Sequence, residues 1–487
     1  MQYLSFSFLI FVLFTFGVYF VIPQSHRWKV LLGASVIFYM MFDIKHVLFL
    51  LFVAISTFVG AKHIAKNKSK KVFIITILAN VLLWFVLKVL PWCGTILNTI
   101  IVKIFDGSSI TLPSFIVPVG ISYYVLMALS YLIDVYKGKM ADEKNFAKYL
   151  LYLTYFPTIV QGPISKYSAL SKQLCAGERI GFGKFRESIL LIMIGLIKKM
   201  VIADRVAILA NHCFGNYATM EGPVLYVGAV CYSIQLYMDF SGCVDICRGV
   251  SALFGIDLID NFNAPYFGKS IKEFWSRWHI SLSTWLKDYV YIPLGGNRKG
   301  VARKYVNLLA TFLVSGIWHG AGINYIFWGL LQGIYQILGE VTLEFRKKIK
   351  GLLGIEQGSL CEKIYQIIIT FNLTTFAWIF FRSGRFLAGV EYVQRMCSGD
   401  GFGHLLDGSM YVQGFSFAQC VVVIINIVFI SLVDYYKSFK HMDVKNGITN
   451  AHIVLRWVIY FVIAYDVILF GVYGQGYDLS GFLYGGF

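Results

Sequence analysis

Residues 313–333 read LVSGIWHGAGINYIFWGLLQG, a run without a single Lys, Arg, Asp or Glu. A bilayer crossing takes about 20 apolar residues, so this run belongs inside a membrane. Its middle nevertheless holds His319, set among Gly316, Gly320 and Gly322. Glycine permits backbone conformations and close approaches that other residues do not. The run therefore reads as two spans, 304–320 and 322–340, meeting at a glycine-rich break. An ionisable side chain at membrane depth is costly and marks a functional site by default. From the residues alone His319 is either a general base, for which imidazole chemistry near neutral pH is suited, or a hydrogen bond between packed helices.

The same character extends over the whole chain. Of 487 residues, 57% are hydrophobic and 14% charged, against roughly 25% charged in soluble domains, which excludes an ordinary cytosolic enzyme. Apolar runs recur from Tyr3 to Gly471 and predict an all-α, polytopic membrane protein of about twelve spans. The opening stretch, MQYLSFSFLIFVLFTFGVYFVIP, lacks a basic leader region and a small-residue cleavage site and is expected to be the first span. The weakest span is 186–206, interrupted by Lys198, Lys199 and Arg205. Two stretches do not fit simple spans: 150–164, broken by Pro157, Gly162 and Pro163, and the mixed segment 240–307. Irregular backbone at membrane depth is tolerated only inside protein or beside a water-filled cavity, so both are expected to be re-entrant elements around a site. No internal repeat of the kind common in transporters is visible.

The net charge is +17, from 43 Lys and Arg against 26 Asp and Glu. On a soluble chain this would suggest nucleic acid, but inner loops of membrane proteins accumulate cations, and no nucleic-acid partner is expected. Five loops (24–29, 62–71, 137–148, 346–350 and 437–445) carry eighteen Lys or Arg, whereas the loops that then face the other side (43–46, 91–112, 207–222, 382–413 and 474–487) carry only Lys45, Lys103, Arg382, Arg385 and Arg395. This asymmetry predicts both termini outside the inner membrane. Nine scattered cysteines, with no C-x-x-C pair, suggest neither a metal nor a redox site.

Three further features carry polar chemistry. FWSRWHISLSTWLKDYVY, residues 274–291, read as one helix, places Trp275, Trp278, Leu282, Trp285, Leu286 and Tyr289 on one stripe and Arg277, Ser281, Thr284 and Asp288 opposite. It predicts an amphipathic helix, either interfacial or beside a site, with His279 at the edge of the apolar stripe. The following IPLGGNRKG, 292–300, is either a positive-inside turn or a cradle for a phosphate-bearing donor. QLYMDFSGCVDICRG, 235–249, places Gln235 and Asp239 one turn apart and Asp245 three before Arg248, so that, with Asp134, an internal ion pair or a proton relay is open.

These stretches, with YFPTIVQGPI (155–164), GLIKKMVIADRV (195–206) and TTFAWIFFRS (374–383), resemble in content and order the membrane-bound O-acyltransferases, and within them the alginate O-acetylase branch. The resemblance implies one polytopic domain over 1–487: N-terminal helices 1–115, a signature core 116–383, and an outer loop with the last two spans over 384–487. It implies a funnel of helices around a channel, with His319 and His279 as the catalytic pair. Trp275, Arg277, Trp278, Trp285, Asp288, Tyr289 and Asn324 then line or brace that channel. The implied reaction takes acetyl from a thioester such as acetyl-CoA on the inner side towards hydroxyls of an exported polysaccharide, with no bound cofactor or metal. An exported accessory acetyltransferase or polymer-synthesis complex is the expected partner, besides membrane lipid. D-alanyl transfer to teichoic acid, lipid acylation and polysaccharide transport are the alternatives at this point.

Overall fold

The computed structural model describes residues 3–105, 116–352, 354–398, 407–408, 411 and 415–473. Among them the regular elements are all helices. Contacts divide the chain into two units, Met1–Ile192 with Cys247–Ile259, and Met193–Ile246 with Asp260–Tyr477.

The first unit contains α1 (Phe6–Val21), α2 (Arg27–Met40), α3 (Ile44–Asn67), α4 (Lys70–Lys88), α5 (Leu90–Phe105), α6 (Ile121–Tyr136), α7 (Phe146–Thr154), α8 (Tyr167–Ala176) and most of α9 (Phe182–Leu196). Local sequence sets the ends. Lys68 adopts left-handed backbone (φ 48) after α3, and Ser69 then accepts the Val72 N–H to start α4, so a two-residue turn reverses the chain. Glycine lets the two helices close: a Cβ on Gly60 would lie 2.7 Å from Thr76 Oγ1. The proline-broken stretch after α7 is irregular and buried. Side chains satisfy its backbone, Ser35 Oγ accepting from Phe156 N–H (3.0 Å) and Tyr3 O–H donating to the Phe156 carbonyl (3.0 Å). That supply of internal partners is what allows irregular chain in an apolar surround.

The second unit contains α10 (Asp204–Gly215), most of α11 (Gly222–Leu253), α12 (Ile271–Arg277), α13 (Ile280–Leu286), α14 (Val301–His319), α15 (Ile323–Val341), α16 (Leu343–Leu352), α17 (Leu360–Arg382), α18 (Phe386–Cys397), α19 (Phe417–Phe439), α20 (Val444–Thr449) and α21 (Ile453–Phe470). Among the described residues five helices, α3, α4, α17, α19 and α21, are long and apolar enough to cross a membrane, and α1 and α6 are shorter apolar helices.

The lysine-interrupted span is resolved by a change of helical register. Residues 197–203 form a wide π-helical turn leading into α10, and the cations there are paired. Lys199 bridges Asp239 and Asp204, the latter at 2.8 Å, and Lys198 meets Asp245 at 2.7 Å. Buried charges persist only when paired in this way.

Candidate active site

The site is built where α14 ends. Gly320 and Gly322 are extended between α14 and α15, and the two helices return against one another at unusually short range. A Cβ on Gly316 would sit 2.4 Å from the Tyr325 carbonyl oxygen, and one on Gly329 2.4 Å from that of Phe312. Small residues let helix backbones approach in this manner. His319, the last residue of α14, is only 2% exposed. Its ring meets Trp328 at 5.1 Å, nearly perpendicular, and Phe381 at 5.3 Å. Trp328 stacks on Trp378 (5.4 Å), which meets Trp278 (5.3 Å).

His279 enters the same cluster from another element, and here the sequence expectation needs correction. Residues 274–291 are not one amphipathic helix. α12 ends at Arg277, His279 takes left-handed backbone (φ 44, ψ 54), and α13 begins at Ile280 before a π-helical turn over 287–291. That conformation is uncommon outside glycine and stores strain. A clasp imposes it: Asn261 accepts the Ile280 N–H on its carbonyl (3.0 Å) and the Ser281 N–H on Oδ1 (2.9 Å), while Asn263 N–H donates to the Arg277 carbonyl (3.0 Å). The bend carries the His279 ring into the interior, fully buried, instead of to the rim of an apolar stripe. It lies 4.8 Å from Phe240 and 6.1 Å from Trp318, itself 4.8 Å from His319. Burial lowers the imidazole pKa to about 3, so the ring is neutral at physiological pH.

Of the other residues singled out, Trp275 joins the cluster, 5.8 Å from Trp328, with its indole N–H on Gln332 Oε1 at 3.1 Å. Arg277 turns elsewhere: its guanidinium donates to Glu273 (2.9 and 3.1 Å), the Asn263 carbonyl (3.1 Å) and Ser438 (2.6 Å), and covers Phe439. It braces the bend. Asn324 donates to the carbonyls of Ser383 (2.9 Å) and Phe380 (3.4 Å), tying α15 to the end of α17. Trp285 in α13 and Tyr289 in the π-helical turn meet at 5.1 Å with their rings tilted by 45°, and the turn also carries Asp288.

A cavity of about 2170 Å³ opens beside this cluster, and Trp275, Phe312 and Ser315 are part of its lining. Ser315 lies one helical turn before His319 and is buried, and its hydroxyl has no protein partner. Nine Lys or Arg line the cavity against Glu340 and Glu362. Those two acids are taken by Lys304 (2.5 Å) and Lys350 (2.6 Å). Lys347 pairs with Glu344 at 2.8 Å, outside the lining, and Lys269, Lys272, Lys287, Arg298, Lys299 and Arg346 remain as a cationic mouth. The glycine-rich turn contributes two of them. Its Gly295 (φ 113) and Gly296 (φ 55) are left-handed, and Asn307 Nδ2 pins the Gly296 carbonyl to α14 at 2.9 Å.

Sequence reading did not single out Ser315, Trp328, Gln332, Trp378 or Asn261. In an apolar helix a serine or tryptophan carries no local sign of what it faces. Only the spacing of Ser315 and His319, four residues apart on one helix face, could have paired them.

A helical membrane protein with a buried histidine between an aromatic cluster and a cationic cavity is the class that fold and site define. The chain belongs to the membrane-bound O-acyltransferase family, whose model matches residues 31–380. It is 32% identical over 428 residues to the probable alginate O-acetylase of Pseudomonas syringae pv. tomato, covering 87% of this chain and 80% of that one. It is 32% identical over 399 residues to the peptidoglycan O-acetyltransferase of Helicobacter pylori, covering 76% and 73%. The teichoic acid D-alanyltransferase of Bacillus subtilis matches over 286 residues at 29%, covering 54% of this chain and 68% of its own. The protein is thus a membrane acyltransferase, and transport as its primary activity is set aside.

Proposed function

We propose that the protein moves an acyl group, acetyl in the simplest case, from a thioester donor on the inner side to a hydroxyl of an exported glycan, with His319 as the base. The observation that carries this reading is the placement of His319 one helical turn beyond Ser315, which lines a large cationic cavity. A donor bearing phosphates, as acetyl-CoA does, suits six lining cations that no carboxylate pairs among the described residues. The acceptor hydroxyl loses its proton to the imidazole as its oxygen attacks the thioester carbonyl. The tetrahedral intermediate then expels the thiolate, and the imidazolium returns the proton to sulfur. Trp328 and Phe381 flank the ring while it is charged, and aromatic faces favour a cation there. The Ser315 hydroxyl offers a donor to the carbonyl oxygen as negative charge develops on it. His279, neutral and strained, shapes the neighbouring wall.

The longer matches to O-acetylating relatives favour acetyl over D-alanyl. The charge asymmetry of the loops supports an inward mouth and an outward histidine in a bacterial inner membrane. About twelve spans around a channel, with an exported accessory acetyltransferase or polymer-synthesis complex as the partner, complete the reading. The test is ester content of exported polysaccharides by NMR in wild type, deletion, His319→Ala and His279→Ala at matched membrane expression. Loss of acetyl ester from one polymer in the deletion and in His319→Ala supports the reading and names the polymer. Loss of D-alanyl ester with acetyl unchanged replaces it with D-alanylation, and unchanged esters overturn it.

A further inference from the structure

Cations are half the character of the large cavity, to which α15 and α17 add the apolar side chains Leu338, Tyr365, Ile369 and Leu373. Three of these are open to the surround, Leu338 50% exposed, Tyr365 51% and Ile369 43%. Apolar surface left in water costs about 25 cal/mol per Å², and α17 is one of the helices long and apolar enough to cross a membrane. Polar and apolar groups are ordered along it. Glu362, near its start, is held by Lys350 at 2.6 Å, and Ile369 and Leu373 follow in the lining. From Glu362 to Leu373 the helix climbs about 17 Å at about 1.5 Å per residue. That is about half of the ~30 Å hydrocarbon core, the depth of one leaflet. At the polar end lies α16, a short basic helix whose Phe345 and Leu352 are exposed, as on helices that lie in a membrane surface. Its Arg346 lines the cavity and is steadied without being neutralised. The guanidinium donates to the Thr342 hydroxyl at 3.2 Å and to the Gly339 carbonyl, and among the described residues no carboxylate pairs with it.

A guanidinium at the polar end of an apolar slot one leaflet deep fits an anionic phospholipid. The phosphate takes guanidinium N–H donors in charge-assisted bonds, and acyl chains cover the side chains that water would leave exposed. A soluble phosphate matches the first feature and not the second. The cavity is also larger than the ~300–1,000 Å³ of a typical ligand pocket, so a lipid beside α16 and α17 leaves space for a phosphate-bearing donor on the cations of 269–299. Basic segments at the inner surface attract acidic lipids, and the loop charges assign 346–350 to that side.

We infer that the large cavity holds an anionic phospholipid, its phosphate on Arg346 of α16 and its acyl chains along Leu338, Tyr365, Ile369 and Leu373 of α15 and α17. Full-length protein in detergent, stripped of lipid, is titrated with phosphatidylglycerol, with phosphatidylcholine of the same chains, and with glycerol 3-phosphate. The expected result is saturable binding of phosphatidylglycerol, about fivefold tighter than of phosphatidylcholine, as one cation near an acidic headgroup gives. Glycerol 3-phosphate, which has no chains, should not compete. Arg346→Gln should abolish the preference between the two lipids, and Arg346→Lys should keep most of it. Ile369→Asn sets an amide against the chains and should weaken both lipids. Ile368→Asn makes the same change at an exposed neighbour on α17 outside the lining and should bind as wild type. Equal binding of the two lipids, no binding of either, or competition by glycerol 3-phosphate would overturn the site on wild-type protein alone. Equal losses in Ile369→Asn and Ile368→Asn would reduce it to lipid around the whole helix. Ester content of exported polymer reports separately on acyl transfer, so either reading can survive the loss of the other.

Discussion

At the scale of single residues, two histidines separate by environment. His319 sits at a helix end between rings and one turn from a cavity, so removing its imidazole should cost turnover and little else. General base catalysis contributes about 10²–10⁴-fold, and His319→Ala should fall by that factor in membranes of matched expression, with thermal stability near that of wild type. A loss of folded protein in proportion to activity would contradict the assignment. Ser315→Ala should lower kcat with donor KM held, because a transition-state donor is lost while binding is not. For His279 the prediction concerns stability. The unfolded imidazole takes a proton below about pH 6.5, whereas the folded one resists it until about 3. The unfolded chain therefore binds more protons across that window, and stability falls as the pH is lowered through it. His279→Asn, which tolerates left-handed backbone, removes the titration. The difference in melting temperature between wild type and this variant should shift against wild type from pH 7 to pH 4. His319 was legible in the sequence because an ionisable group stands out in an apolar run. Trp328, Trp378 and Ser315 were not, because membrane helices are full of such residues whichever way they face.

Elements were legible where periodicity and composition agree, and misread where tertiary bonds override them. The amphipathic stripe over 274–291 satisfies a 3.6-residue period, yet the chain breaks at His279 because Asn261 and Asn263, over a dozen residues earlier, bond across the bend. No local pattern encodes that clasp. Similarly, Lys198 and Lys199 were visible as interruptions, but their carboxylates come from α10 and α11 and are found only once those helices pack. The α14–α15 hairpin is the element on which the site depends, and its glycines can be tested in pairs. A Cβ on Gly329 meets the Phe312 carbonyl oxygen at 2.4 Å, while one on Gly339, on the same helix, meets nothing within 4 Å. Gly329→Ala should force the helices apart at a cost of about 1–3 kcal/mol, and a displacement of this kind can lower turnover by about 10². Gly339→Ala should be neutral or stabilising by up to about 1 kcal/mol. Melting curves and single-turnover rates on the pair separate helix packing from helix propensity, since both variants add the same methyl group.

For the whole molecule, one distribution of charge has two consequences. The cations of 346–350 count towards an inward loop, and several of them, with Arg298 and Lys299, form the mouth of the large cavity. A positive-inside signal and a donor-binding surface are physically compatible, because both place Lys and Arg on the side where anionic nucleotides occur. The two roles separate in their dependence on number and position. Orientation follows the summed loop charge, and of Arg298, Lys299, Arg346 and Lys347 only the last two are among the eighteen loop cations, so that replacing all four leaves sixteen of them in place. Attraction of a phosphate-bearing donor depends on cations within about 10 Å, the screening length at 0.1 M salt. Replacing Arg298, Lys299, Arg346 and Lys347 together by glutamine should therefore leave insertion unchanged while raising the KM for acetyl-CoA about tenfold or more. kcat should stay within about twofold, because uniform binding is lost and transition-state contacts are not. Wild-type KM should rise steeply with ionic strength and the variant's should not. The measurement uses proteoliposomes with donor on one face, and orientation is read by labelling Lys348→Cys, which does not line the cavity. An unchanged KM with unchanged orientation would reduce the cationic mouth to a topology signal and move the donor elsewhere. Inverted labelling would show that these four residues set the topology, and the assignment of inner and outer faces would have to be redrawn around them.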